Sequence, residues 1–165
     1  MGDRFQRSAS PLPEPGTGFV VGYDEEPFLL EGWAGRATRR PENVPCRLIA
    51  AEASFRLRAG PDSRRLKLLF VAPVRFTGEP YRADVFMESR LLGEMEAATE
   101  NWALRRFDLP IWAHERVAEF RIVSKTLFAP ARGIPGDPCL EAGGCYIGAV
   151  RIESAAAEEP PRRSL

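Results

Sequence analysis

The stretch that decides the fold is AEASFRLRAG, residues 51–60. Ala51, Ala53, Phe55 and Leu57 stand at every second position, with Glu52, Ser54, Arg56 and Arg58 between them. A period of two puts one set on a buried face and the other in water, which is the pattern of a strand and not of a helix. The Gly-Pro-Asp-Ser sequence at 60–63 then reads as a turn. RRLKLLFVAP, residues 64–73, resumes the alternation through Leu66, Leu68 and Phe70 until Pro73. Leu69 and Val71 are apolar on its other face, so this strand is expected to be covered on both sides.

The same rhythm continues outward. YRADVFMES (81–89) alternates through Tyr81, Ala83, Val85 and Met87. Residues 91–102 allow two readings. Leu91, Leu92, Met95, Ala98 and Trp102 fit helical spacing, but Gly93 weakens a helix. The other reading is a hairpin, with a turn at 88–90, a return strand at 91–95 and a new strand from Trp102. In that strand Trp102, Leu104, Arg106 and Asp108 share one face, and Ala103, Arg105, Phe107 and Leu109 the other, until Pro110 stops it. VAEFRIVS (117–124) and CYIGAVRIES (145–154) complete the set; in the latter, Ile147, Ala149 and Arg151 are expected on one side. Short strands separated by turns, with no strong helix, predict an all-β domain. The expected form is a two-sheet antiparallel β-sandwich, jelly-roll-like, with long loops.

The chain has 165 residues, enough for one domain with a full core. Residues 1–18 and 155–165 are rich in Gly, Pro, Ser and charge and read as a loose leader and tail, leaving the domain at 19–154. Apolar residues make up 44%, and 23 basic residues balance 23 acidic ones. That balance argues against a nucleic-acid ligand. No apolar run approaches the length that crosses a bilayer, and the N-terminus lacks a secretory core, so the expected location is cytoplasmic.

Cys46, Cys139 and Cys145 are three, which does not make a disulfide framework, although Cys139 and Cys145 are spaced to close one loop. Three cysteines and the single, distant His114 do not supply the four close ligands of a metal site. No cofactor motif is present, neither a glycine-rich phosphate loop nor a nucleophile elbow. The one enzymatic alternative pairs Cys145 with His114.

The remaining chemistry points to binding. Rings offer an apolar platform to a sugar's C–H face, while polar groups meet its hydroxyls. Trp112 follows Pro110 in a loop and is the ring expected to be exposed. With His114 beside it, and Arg132 and Asp137 in the Gly/Pro-rich stretch 127–144, it forms the candidate ligand-binding set.

The order of signals also resembles a known family. Glu88–Arg90, Leu92 and Gly93, Trp102, Phe107–Pro110, Ser124, Phe128, Pro130, and Asp137 with Pro138 follow its sequence of turn, return strand, Trp, Phe-x-Leu-Pro end and Asp-Pro loop. The family is a bacterial carbohydrate-binding-like β-sandwich module associated with glycosyltransferases and methyltransferases of surface-polysaccharide synthesis. The resemblance spans about residues 19–154, with departures at the Glu-Ser-Arg turn and after Asp137-Pro138 (CLEAGGC). It implies a non-catalytic accessory domain, a glycan or nucleotide sugar as ligand, and a glycosyltransferase or methyltransferase as partner. It also implies the hairpin at 88–106 and a Trp102 packed between the sheets. The alternative is an interaction or oligomerisation sandwich, such as a homodimer, with no small ligand.

Overall fold

A computed structural model describes residues 16–39, 43–129 and 142–155. Ten strands follow in chain order: β1 (Gly18–Val20), β2 (Trp33–Arg39), β3 (Val44–Ala50), β4 (Glu52–Ala59), β5 (Ser63–Val71), β6 (Tyr81–Met87), β7 (Arg90–Ala97), β8 (Ala103–Asp108), β9 (Arg116–Ser124) and β10 (Gly143–Ser154). A 3₁₀ turn covers Glu26–Phe28, and a single helical turn, α1, covers Val74–Thr77. One antiparallel sheet runs β2-β3-β10-β5-β8, with β1 also paired to β10; the other runs β4-β9-β6-β7. β3 to β4, β4 to β5, β5 to β6, β7 to β8, β8 to β9 and β9 to β10 each cross from one sheet to the other. The two-sheet antiparallel sandwich, jelly-roll-like, is therefore as expected.

The alternation that announced the fold builds the core. Ala53, Phe55, Leu57 and Ala59 of β4 face inward against Leu66, Leu68 and Phe70 of β5 and Ala118, Phe120 and Ile122 of β9. Phe55 and Phe120 are direct cross-strand partners and stack with centroids 5.5 Å apart, a pairing that contributes beyond its buried area.

At residues 88–97 the hairpin is what forms. β6 and β7 pair from Tyr81↔Ala97 to Met87↔Arg90. Glu88 sits at the turn with φ 56°, a left-handed conformation in which Asn or Gly is more at ease. Its carboxylate takes two hydrogen bonds from Arg116, at 2.7 and 2.8 Å, which hold the turn against β9.

Three expectations are corrected. Trp102 does not lie between the sheets. It is half-buried on the outer face of the larger sheet, where its ring would meet a Cβ at Gly148 at 3.2 Å. It shares that face with Leu104 and Arg106, its partners in the alternation. Second, the register of β10 shifts between Ile147 and Ala149. This bulge at Gly148 turns Ile147, Val150 and Ile152 all toward the core, so Ile147 is not on the side of Ala149 and Arg151. Third, β1, β2 and β3 are strands that the alternation did not announce.

One buried charge holds this region together. Glu25 is fully buried between β1 and the 3₁₀ turn. Its carboxylate receives Arg36 Nε at 2.6 Å, Arg47 Nε at 3.0 Å and the Gly22 amide at 3.0 Å. Arg47 also pairs with Glu26. Burial pushes the Glu25 carboxyl up, but the Arg36, Arg47 and backbone hydrogen bonds together outweigh it and hold it down at about 2.

Of the expected leader and tail, residues 1–15 and 156–165 lie outside the described residues. Gly16 and Thr17 already accept backbone hydrogen bonds from Arg58 and Ile152. No helix among the described residues is long and apolar enough to cross a membrane.

Candidate ligand-binding face

The two outer faces of the sandwich differ in kind. On the four-stranded sheet, cations and carboxylates alternate and pair. Arg121 meets Glu52 at 3.1 Å, Arg82 meets Glu96 at 3.2 Å, and Lys125 bridges Asp84 at 3.1 Å and Glu94 at 2.8 Å. The Lys125 hydrogen bond is the main cause that holds the Glu94 carboxyl below the usual carboxylate range. Exposed pairs of this kind keep a face wet and soluble and contribute little stability.

The six-stranded sheet is different. Because Leu66, Leu68 and Phe70 of β5 face inward, Arg65, Lys67 and Leu69 face out. β8 adds Leu104 and Arg106 to this side. β10, after its bulge, adds Ala149, Arg151 and Glu153. The result is a groove of about 210 Å³ floored by Leu69, Leu104, Ala149 and Val20 and flanked by Lys67 and Arg151. Leu104 is 53% and Val20 37% exposed. Trp102 does not line this groove but stands near it: its ring and Leu69 both lie within 3.3 Å of where a Cβ on Gly148, next to Ala149, would be. Its indole nitrogen is buried without a hydrogen-bond partner among the described residues.

Past Lys67 and Arg151 the surface opens into a second hollow of about 530 Å³ at the sandwich end. Asp62, Glu115, Glu153 and Arg58 line it. Glu153 is the carboxylate shared by this corner, with Arg106 Nε at 3.1 Å, Lys67 Nζ at 3.7 Å and Arg65 Nε at 4.0 Å. An apolar shelf that ends in a pair of cations can hold a flat ring while binding a polar or anionic substituent.

The residues expected from sequence fall elsewhere. Trp112 is not exposed: it is 8% accessible and belongs to the main core. Pro110 ends the strand run, Ile111 turns outward at 90% exposure, and the next side chain turns in. The Arg116 guanidinium caps the Trp112 ring at 4.6 Å. His114 is exposed in the same loop, but it is Glu115 that reaches the charged hollow. Arg132 and Asp137 lie outside the described residues, so they are not brought to the groove or separated from it. On either side of the segment that carries them, Phe128 and Gly143 exchange paired backbone hydrogen bonds of 2.8 and 2.9 Å.

The groove residues Leu69, Leu104, Lys67 and Arg151 were not singled out from sequence. The available signal was the apolar Leu69 and Leu104 on strand faces that also carry Lys67 and Arg106.

Cys46 and Cys145 are both buried free thiols. Burial pushes Cys145 up to about 12 and Cys46 up to about 11, far from a reactive thiolate. Cys145 lies beside a buried Tyr81–Ser124 hydrogen bond of 2.7 Å. The expected loop disulfide involves Cys139, which is outside the described residues. Among the described residues no group of three or more His, Cys, Asp or Glu is placed to hold a metal ion.

No protein-family model and no curated protein matches this sequence. Solved structures do resemble it. A glycoside hydrolase family 43 arabinoxylan arabinofuranohydrolase from Bacillus subtilis, in complex with cellotetraose, aligns at TM-score 0.49 and 10% identity. The alignment covers 87% of this chain but 28% of that enzyme, so this chain spans just over a quarter of its length. A CBM36 carbohydrate-binding module in complex with calcium and xylotriose aligns at TM-score 0.47 and 8% identity, covering 83% and 99% of the two chains. A native family 35 carbohydrate binding module from Clostridium thermocellum aligns at TM-score 0.51 and 9% identity, over 84% of this chain and 99% of that one. At this identity the shared property is the fold: the chain has the β-sandwich of that carbohydrate-binding module.

Proposed function

We propose that this domain is a non-catalytic carbohydrate-binding module. Its ligand is a glycan or nucleotide sugar, and its context is a cytoplasmic glycosyltransferase or methyltransferase of surface-polysaccharide synthesis. The observation that carries this reading is the groove on the six-stranded sheet, an apolar shelf of Leu69, Leu104 and Ala149 flanked by Lys67 and Arg151, with the Trp102 ring against the neighbouring Gly148. Such a surface on a rigid sheet needs little reorganisation to take a ring. The full burial of Cys145, which pushes its thiol up, supports the non-catalytic reading over a Cys145 nucleophile.

Calorimetric titration of the full chain with a panel of oligosaccharides and nucleotide sugars tests the proposal. A specific hit is expected to fall at least tenfold in Trp102→Ala. Arg132→Ala and Asp137→Ala, titrated alongside, report whether the 130–141 segment contributes to the same site. No binding to any saccharide would remove the proposal.

A second reading is docking onto a partner protein or a second copy, through exposed apolar side chains such as Ile111 (90%), Tyr23 (78%) or Phe76 (62%). Light scattering on the same sample separates it: a stable dimer without saccharide binding would favour this reading.

A further inference from the structure

Charge on this molecule is balanced in total but not in place. The 23 cations match the 23 carboxylates, and the outer face of the four-stranded sheet neutralises itself pair by pair. The outer face of the six-stranded sheet does not. Arg65, Lys67, Arg106 and Arg151 project from three adjacent strands. Facing them are Glu153, already shared by the first three, and Asp108, which stands opposite Arg65 in the strand register. The carboxylates at the rim of the adjoining hollow are Asp62 and Glu115, and Glu115 pairs with Arg58 at 3.5 Å. Arg151 has no carboxylate partner among the described residues, is exposed, and sits on the central strand β10 at the mouth of the groove.

Building on the carbohydrate reading, we infer that the ligand of this groove is an anionic saccharide, its carboxylate, sulfate or phosphate held by Arg151 and Lys67 while its ring lies on Leu69 and Leu104. The guanidinium's planar fork takes two oxygens of such a group at once, and Lys67, its direct partner in the β5–β10 register, adds a point charge beside it. A neutral saccharide would leave Arg151 without a partner when the ligand displaces water from the groove, whereas Lys67 keeps Glu153 at 3.7 Å, so the site discriminates against it. The backbone of Arg151 is fixed by the ladders of β10 with β1 and β5, so the point from which its side chain reaches is set by the sheet.

The experiment uses the full chain and three probes: a glucuronate-containing tetrasaccharide, the same tetrasaccharide with its carboxyl groups reduced to alcohols, and UDP-glucose. Binding is followed by calorimetry and by backbone amide NMR shifts, in wild type, Arg151→Gln, Lys67→Gln and Arg82→Gln, the last on the opposite face. Thermal unfolding of each variant confirms that it is folded.

The expected result is that the acidic tetrasaccharide binds about tenfold to a hundredfold more tightly than its reduced form. The advantage shrinks as salt rises from about 50 to about 300 mM, and disappears in Arg151→Gln but not in Arg82→Gln. UDP-glucose binding with the same Arg151 dependence would support the inference and assign the anion to phosphate. Equal binding of the acidic and reduced saccharides, or a preference that survives Arg151→Gln, would overturn it and leave the carbohydrate reading standing. Silence with all three probes would overturn both.

Discussion

Replacing Glu25 with glutamine removes one charge and almost no volume from a fully buried site. In the folded protein the Glu25 carboxyl is held at about 2 against an ordinary 4.5. That fall corresponds to about 3 kcal/mol of stability at neutral pH. The sign follows from the direction of the fall. A carboxyl depressed by folding stabilises fully above its unfolded value, and that contribution drains away as pH drops from about 5 toward about 2. Glu25→Gln should therefore be about 3 kcal/mol less stable than wild type at pH 7, because Arg47, only 11% exposed, loses its buried partner. At pH 2 the two proteins should differ by less than about 1 kcal/mol. Glu88, Glu94 and Glu100 are also held below the usual carboxylate range, by Arg116, Lys125 and Arg75. They titrate in both proteins and cancel in the difference. Urea unfolding at half-unit steps from pH 2 to pH 7 measures the gap. A gap that does not change with pH, or a loss at pH 7 below about 0.5 kcal/mol, would refute the reasoning.

The other expectations concern the core and the thiols. Trp112→Ala should cost about 3–5 kcal/mol in denaturant unfolding, the loss typical of a core aromatic, whereas Trp102→Ala should cost about 1 kcal/mol; equal losses would contradict the placement of the two rings. Gly144→Ala should destabilise by more than about 2 kcal/mol, since the new Cβ would stand 2.1 Å from Ser124 Oγ and force apart the Tyr81–Ser124 hydrogen bond; a Tm unchanged within error would disprove the close approach. In a Cys139→Ser background, no thiol should react with a disulfide reagent at pH 8 in the native state, and two should react in denaturant; rapid native labelling of Cys46 or Cys145 would contradict their burial.

The sheets were legible wherever one strand face is simply apolar. β4, β5, β6 and β9 declare themselves because nothing interrupts their period of two. β3 was missed because Arg47 stands where an apolar inward residue would continue the pattern set by Ile49, and its partner Glu25 is distant in sequence. A buried ion pair is invisible to a hydrophobic period. β10 was read with the wrong partition after Ile147 because a bulge inserts a residue without changing composition. Trp102 carried its answer in the strand itself: Leu104, Arg106 and Asp108 on its face are outward residues, and a large ring does not outvote them. Trp112 carried no such signal, since a loop has no period and Ile111 and Trp112 were equal candidates to turn inward. The groove was the hardest part to read. It exists only where β5, β8 and β10 lie side by side, and that adjacency comes from crossovers between sheets.

The backbone of Gly16 accepts a hydrogen bond from Arg58, and Ala155 donates one to Asp62. Both ends of the described fold are thus fastened to the same β4–β5 turn, so the polypeptide enters and leaves the sandwich at a single corner. A domain tied off in this way can be spliced into another chain without spreading its host. Its two ends can equally be bridged and the chain reopened at another surface turn. The groove face would stay intact under either rearrangement, because its first and last strands, β1 and β10, are paired with each other and β10 is also paired with β5.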